Sequence, residues 1–455
     1  MKKLPTYAGS FYPGDANELT ELIKKFASGK RVCAKSKAII VPHAGYQYSG
    51  HAMNIGYENL QNEENIFIFA PSHHYDFLGI ALPEYEKFET PFGTIDVNQD
   101  IVNEIQDTFG AYVNNIPFDE EHSIEVQLPF IQHFMCGGKI INAANLIKGL
   151  KKTKIIPILI GKCEPKLIAN IIDKFYNRAA FVISSDLSHF LTNEIAKQTD
   201  NYTAWMIETG HIEQFSPEQA CGATGILGLA EFAKKKGFSL IRLEMFNSGD
   251  ITGDKSKVVG YGSWFLYEGT KEALIKNFYS KYLIEECKKS ILSGFAGEKY
   301  IPEFVPGALK QYGASFVTLE ITGHLRGCMG SIYSDKPLIE DITSNAQSAA
   351  FFDPRFNPVI PEEFNNLTIS ISILSEPQKI NFKDEQDLLS QIYPYGIILT
   401  DNDKRAVYLP IVWEQLPDRR VFLNSLKEKA GLHPDYFSKS LEIYKFETVY
   451  ITSDN

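Results

Sequence analysis

Apolar positions in the first half of the chain follow two rhythms. The runs Ala38 to Val41, Ile66 to Ala70, Ile155 to Ile160 and Ala179 to Ile183 are short and almost without polar interruption, which predicts strands buried on both faces. Between them lie segments with helical spacing, such as Asn17 to Phe26 with Leu19, Leu22, Ile23 and Phe26. This alternation, from about residue 17 to residue 232, predicts α/β layers around a mostly parallel sheet. Pro157 removes a ladder donor from its run and predicts an edge or a bulge there. Val258 to Tyr267 reads as a glycine-punctuated aromatic strand, and Glu268-Gly269-Thr270 after it is the expected end of the first domain.

A new pattern then begins. Leu274, Phe278, Tyr282 and Cys287 keep rough helical spacing up to Gly294, and Ser315 to Ile321 alternates as a strand. A chain of 455 residues exceeds one ordinary core, so the expectation is two domains, 1–268 and 270–455, the second again α/β. The densest motif of the second half is Gly323-His324-Leu325-Arg326-Gly327-Cys328-Met329-Gly330. Three glycines in eight residues imply a tight turn or a close backbone approach. Cys328 beside Arg326 reads either as an activated thiol or as an inert cysteine in a packed turn, and the second reading is preferred. Asp353 and Arg355 suit a loop ion pair.

Composition narrows the class. Hydrophobic residues make up 44% and charged residues 22%, ordinary for a globular protein. No run approaches the length needed to span a bilayer. The start, Met1-Lys2-Lys3-Leu4-Pro5, has no apolar stretch behind its lysines and does not resemble a secretory signal, so a cytoplasmic location is expected. The net charge is −11 and both halves are acidic, which argues against nucleic acid as a partner. The six cysteines (33, 136, 163, 221, 287 and 328) form no C-x-x-C pair, so any functional cysteine acts singly.

The chemistry concentrates in loops after the predicted strands: Val41-Pro42-His43-Ala44-Gly45-Tyr46, Pro71-Ser72-His73-His74 and Ser184-Ser185-Asp186-Leu187-Ser188-His189. Ligands of parallel sheets gather at the carboxyl ends of strands, so one sheet edge is expected to collect these histidines. A mononuclear site needs two neutral imidazoles and one anionic ligand with open positions left over. His43 and His73 are the imidazole candidates. For the anion the choices are Cys221, Asp186 or a carboxylate among Glu120, Glu121 and Glu125. Cys221 is preferred because it precedes an apolar segment, Ala223 to Ala230, that reads as a helix start, where a thiolate is stabilised. Gly222, Gly225 and Gly228 would alternatively suit a nucleotide loop, although their spacing matches no phosphate-binding motif. His122 and Glu125, three apart, would share a helix face and either line the site or sit on a solvated helix start. His189, three residues after Asp186, reads as an acid/base whose tautomer the aspartate fixes. His51, His133 and His211 have no comparable setting.

Five segments together resemble the Memo family: Ala-Gly-Ser-Phe-Tyr-Pro (8 to 13), Val-Pro-His-Ala-Gly-Tyr-Gln-Tyr-Ser-Gly (41 to 50), Pro-Ser-His-His (71 to 74), Glu-His-Ser-Ile-Glu (121 to 125) and Ser-Ser-Asp-Leu-Ser-His (184 to 189). The remainder resembles the AMMECR family through Leu-Arg-Gly-Cys-Met-Gly (325 to 330) and Asp-Pro-Arg-Phe (353 to 356). Both kinds occur in the set named AmmeMemoRadiSam, which implies a radical S-adenosylmethionine protein as partner. The resemblance further implies the fold of class III extradiol dioxygenases, with His43, His73 and Cys221 as metal ligands, His189 as acid/base, and Asp186 and His122 beside the site. The implied metal is Fe(II), with Cu or Zn as alternatives for a soft thiolate. The function expected is a metal-dependent redox enzyme acting on a phenolic or related substrate, and the alternative is a non-enzymatic metal-binding or interaction module.

Overall fold

The computed structural model describes residues 1–26, 34–135, 153–438 and 440–453; Cys33 and Cys136 lie outside them. The chain forms two compact units, Met1–Lys271 with Pro306–Ala308, and Glu272–Val305 with Leu309–Asn455.

In the first unit the apolar runs become neighbouring strands of a 12-stranded sheet. Lys154–Ile160, Asn65–Pro71, Ala180–Ser184 and Ala38–Val41 lie side by side in that order, all parallel. Every residue of Ala38–Val41 and Ala180–Ser184 is buried, which is why these runs show no polar alternation. Val258–Tyr267 continues the sheet antiparallel to Ala38–Val41, and Ser239–Asn247 pairs antiparallel with it. Ala180–Ser184, fourth of the four parallel strands in the chain, is inserted between the first and second. Register sets Val41 opposite Ser184, so the loops leaving their carboxyl ends emerge together.

The expectation of an edge at Pro157 is corrected. Lys154–Ile160 is an internal strand, with Ile68 opposite Pro157 on one side. On the other side the partners change from Val97 at Ile155 to Ala81 at Leu159. Pro157 falls in the gap between two short neighbours, where its missing N–H leaves no ladder bond unmade.

Two helices show how the sequence marks a helix end. Ala16–Phe26 begins after Asp15, whose carboxylate accepts the Asn17 and Glu18 N–H groups at 2.8 and 3.0 Å, and it buries Leu19 and Ile23. Ala223–Lys236 ends at Gly237, whose φ of +69° is the left-handed C-cap conformation.

The second unit holds the helix Lys271–Phe295, of which the first residue is grouped with the first unit, and two four-stranded antiparallel sheets. Only Thr322 and Gly323, with φ of +50° and +78°, make the turn expected over Gly323 to Gly330. His324–Gly330 is a strand paired with Ala314–Ile321. The close approach that was the other expectation is found farther along: a Cβ on Gly327 would meet the Ala349 carbonyl oxygen at 2.0 Å. Arg326 forks onto Glu363 at 3.0 and 2.9 Å and also reaches two backbone carbonyls, so its charge is matched by Glu363. Asp353 and Arg355 form the expected ion pair at 2.7 Å, and Asp353 also accepts the Cys328 N–H at 2.8 Å.

Candidate metal centre

His43, His73 and Asp186 each stand two residues past the end of a strand, after Val41, Pro71 and Ser184 respectively. Cys221 comes to the same place from a different direction, one residue before the Gly222 N-cap of the helix Ala223–Lys236. Gly222 makes this possible, because a Cβ there would meet the Ser184 carbonyl oxygen at 2.6 Å. The glycines that suggested a nucleotide loop instead let this helix pack closely: Gly228 abuts Ile168, and Gly225 abuts Ile183.

One ligand atom from each of His43, His73 and Cys221 lies within 4.8 Å of the other two. His43 Nε2 is 3.2 Å from Cys221 Sγ. Ligands of one metal ion at bond lengths of about 2.0 and 2.3 Å stand roughly 3.1 to 3.6 Å apart, so this edge already fits.

The network behind the histidines decides which nitrogen is free. Gln127 receives the Tyr57 hydroxyl on Oε1 and donates through Nε2 to the Pro42 carbonyl and to Ser184 Oγ, all within 2.9 Å. Ser184 donates its one hydroxyl hydrogen to the Ser123 carbonyl at 2.7 Å. It can therefore only accept from His43 Nδ1, 2.9 Å away. His43 is thus protonated on Nδ1, leaving the Nε2 lone pair toward Cys221. His73 repeats the device: Glu121 takes its backbone N–H at 2.7 Å and faces its Nδ1 at 2.8 Å. Burial alone would raise the Glu121 carboxyl, but the hydrogen bonds and charge of His73, with the Ser123 N–H, bring it down to about 2.

Burial is uneven across the centre. His43 is 1% exposed, and burial, reinforced by His73, pushes its pKa down to about 3, so it is neutral. The His73 side chain is 28% exposed and gives the centre an open side. Burial pushes the Cys221 thiol up to about 12, with the Asp186 charge adding to it, while the Asp186 N–H points at Sγ from 3.3 Å.

His122 stacks on His73 with ring centroids 4.7 Å apart and meets His43 edge-on at 5.3 Å. Burial and the neighbouring His43 lower it to about 4. The residue pair expected on one helix face divides. His122 lines the centre, whereas Glu125 turns toward the amino-terminal segment and accepts the Thr6 and Tyr7 N–H groups and the Tyr12 hydroxyl at 2.7 to 2.8 Å. Phe11 of that segment packs on His122 at 4.9 Å, so the Ala-Gly-Ser-Phe-Tyr-Pro motif closes one wall.

Asp186 is buried and accepts the His43 N–H at 2.8 Å. The expectation that it fixes the His189 tautomer is corrected: its hydrogen bonds go to the backbone N–H groups of His43 and Ala44, because the loop folds back over the strand end. His189 acts on Asp186 and His43 through charge. His133 is buried with Nδ1 unpartnered, His211 stacks on Trp205, and His51 lies near Phe246, none of them in the centre. Sequence reasoning missed Ser184, Gln127 and Ser123; Glu121, one of its ligand candidates, supports His73 and also forms with His73 and His122 a second group of possible ligand atoms within 4.8 Å of one another.

Two family models match the chain, Memo-like protein over residues 3–265 and AMMECR1 over 284–451. Among similar proteins, a MEMO1 family protein of Thermoplasma volcanium is 31% identical over 277 residues, covering 58% of this chain and 97% of its own length. One of Aquifex aeolicus is 31% identical over 273 residues, covering 56% and 96%. An uncharacterised protein of Pyrococcus horikoshii with a solved structure is 29% identical, covering 38% of this chain and 89% of its own, with a TM-score of 0.36. Most of the first unit, including every residue of the histidine and cysteine cluster, lies inside the first match, and the chain belongs to the Memo family, with an AMMECR1 domain following.

Proposed function

We propose that the first unit is a mononuclear metal centre held by His43, His73 and Cys221, and that it serves a redox reaction on a phenolic or related small molecule. The observation that carries this is the orientation of the two imidazoles, each with Nδ1 turned to an internal acceptor, Ser184 or Glu121. Ligand histidines are held in this way, and a histidine placed only for packing needs no such arrangement. Two imidazole nitrogens and one sulfur suit iron, copper or zinc, and Fe(II) is the reading adopted here. When bound, such an ion supplies Lewis acidity and, for iron, a one-electron couple.

The chain's own residues do the rest. His43 is neutral at ordinary pH and needs no deprotonation to bind. Cys221 holds its proton in the metal-free protein, and ion binding displaces it. His189, on the strand His189–Leu191 beside the centre, takes a proton from a substrate hydroxyl and returns it. His122 and Phe11 wall one side against solvent. The AMMECR1 domain on the same chain supports a radical S-adenosylmethionine protein as partner, since the two families share that association.

Turnover tests the reading. Iron-reconstituted chain given catechol in an oxygen electrode should consume oxygen. His189→Ala should keep its metal and lose roughly two to four powers of ten in rate. Metal loss in that variant would make His189 a ligand, and full occupancy without oxygen consumption would favour a binding module.

A further inference from the structure

Among the described residues, three other than glycine carry a positive φ: Phe190 at +58°, Thr322 at +50° and Asn402 at +55°. Thr322 and Asn402 each open a two-residue loop between paired antiparallel strands, where such a conformation is ordinary. Phe190 sits inside a strand instead. Just before it, the Leu187 N–H donates to the Gly260 carbonyl at 2.9 Å and the Gly260 N–H to the Ser188 carbonyl at 2.8 Å. His189 then pairs with Val259 and Leu191 with Val258, so Phe190 is the one extra residue of a β-bulge. The left-handed position of such a bulge is ordinarily a glycine, and a bulky side chain there is strained.

We propose that Phe190 is a substrate-contacting residue, an aromatic lip beside His189 on which the ring of a phenolic molecule packs. The proposal rests on the reading of His43, His73 and Cys221 as a centre that acts on such molecules, and it names a residue that selects them. Adjacent side chains of a regular strand point to opposite faces. The bulge turns Phe190 to the face of His189 instead, and the two rings meet edge-on with centroids 5.8 Å apart. His189 stands within charge reach of the centre, acting on His43 and Asp186, both buried there. Phe190 is 70% exposed and lies farther out than the half-buried His189. A single exposed aromatic is ordinary. One held in a conformation that suits glycine, while burying little of its ring, gains too little from packing to account for the strain. A ring resting on Phe190 would be held in the geometry of an aromatic pair, with its hydroxyl beside the histidine that takes the proton.

Calorimetry on the full chain, iron-loaded and kept anaerobic, tests the proposal with catechol and with acetohydroxamate, which offers two oxygens but no aromatic ring. Phe190→Leu keeps an apolar side chain and should weaken catechol roughly three- to ten-fold, the worth of one aromatic pair, while leaving acetohydroxamate unchanged. Phe190→Trp should hold catechol within about two-fold of the parent. Phe190→Gly should lose catechol as the leucine variant does, yet melt at the parent's temperature or above it, because glycine relieves the strain and little burial is lost. A clearly lower melting temperature in Phe190→Gly would show a ring held by packing and would overturn the proposal, as would equal catechol affinity in the parent and Phe190→Leu. Metal content measured alongside keeps the two readings apart. Full metal content with catechol binding indifferent to residue 190 sinks the lip and keeps the centre, whereas a chain that takes up no metal yet loses catechol in Phe190→Leu does the reverse. Neither metal uptake nor catechol binding would overturn both.

Discussion

A single hydroxyl sets the chemistry of the most buried ligand. Ser184 gives its hydrogen to Ser123 and receives the His43 Nδ1–H, so Ser184→Ala should leave that N–H without a partner. Metal affinity, measured by competition with a chelator, should then fall roughly 10- to 100-fold, with the helical and strand content unchanged. An unchanged affinity would remove Ser184 from the account. A second residue-scale effect concerns pH. Asp200 is buried against Gly260, accepts the Ser188 N–H at 3.0 Å, and is pushed up to about 6 by burial. The folded protein therefore holds this proton more tightly than the unfolded chain, whose aspartate titrates near 3.9. Stability from this group is greatest below about pH 4 and is lost as pH rises through about 6. Asp200→Asn should remove that slope and raise Tm at pH 7 by a few degrees, relieving a penalty on the order of 2 kcal/mol. Thermal melts from pH 4 to 8 would check it, and a variant with the same slope as the parent would contradict it. That His43, His73 and Cys221 come together was legible in the sequence, because each stands beside a strand or helix end marked by Pro, Gly or Ser. Ser184 and Gln127 were not, since nothing local separates a polar residue that holds a ligand from one that faces water.

At the scale of elements, strands buried on both faces were the most legible feature, and Val258–Tyr267 was read with the bounds it has. The Gly323 to Gly330 segment was read less well. Of the two readings of its glycines, a tight turn holds for Gly323 alone, while close approach holds for Gly327 and Gly330, where the backbone of Ala349 and the ring of Phe316 press on a strand, contacts that the local sequence does not reveal. The helix Ala223–Lys236 shows the same logic at the centre. Gly222→Ala would drive a methyl group into Ser184 and Ser185, both of whose nearest atoms stand 2.6 Å from the new Cβ. The helix start and Cys221 would have to shift. The expected result is destabilisation of about 1 to 3 kcal/mol together with loss of metal, read by chemical denaturation and elemental analysis. Normal stability with normal metal content would show that the close approach is not needed.

For the whole molecule, all of the proposed ligands and their supports belong to the first unit. The two-part organisation was legible from the change of pattern after Glu268, and so was the placing of the ligand candidates in the first part, since the AMMECR1 portion shows no comparable cluster of ligands among its described residues. Residues 1–271 produced alone should bind the same amount of metal per molecule as the full chain, and residues 272–455 should bind none above background. Metal in the second piece would relocate the centre. Among the described residues no helix is long and apolar enough to cross a membrane.

The most direct test of the centre is the X-ray absorption spectrum of the iron-loaded full chain. The account requires one sulfur scatterer at about 2.3 Å and nitrogen or oxygen scatterers at about 2.0 to 2.2 Å, with an imidazole signature from two histidines. Cys221→Ser should abolish the sulfur shell, and His73→Ala should halve the imidazole contribution. A spectrum with no sulfur shell, or one that Cys221→Ser leaves unchanged, would contradict the assignment of His43, His73 and Cys221 as the metal ligands.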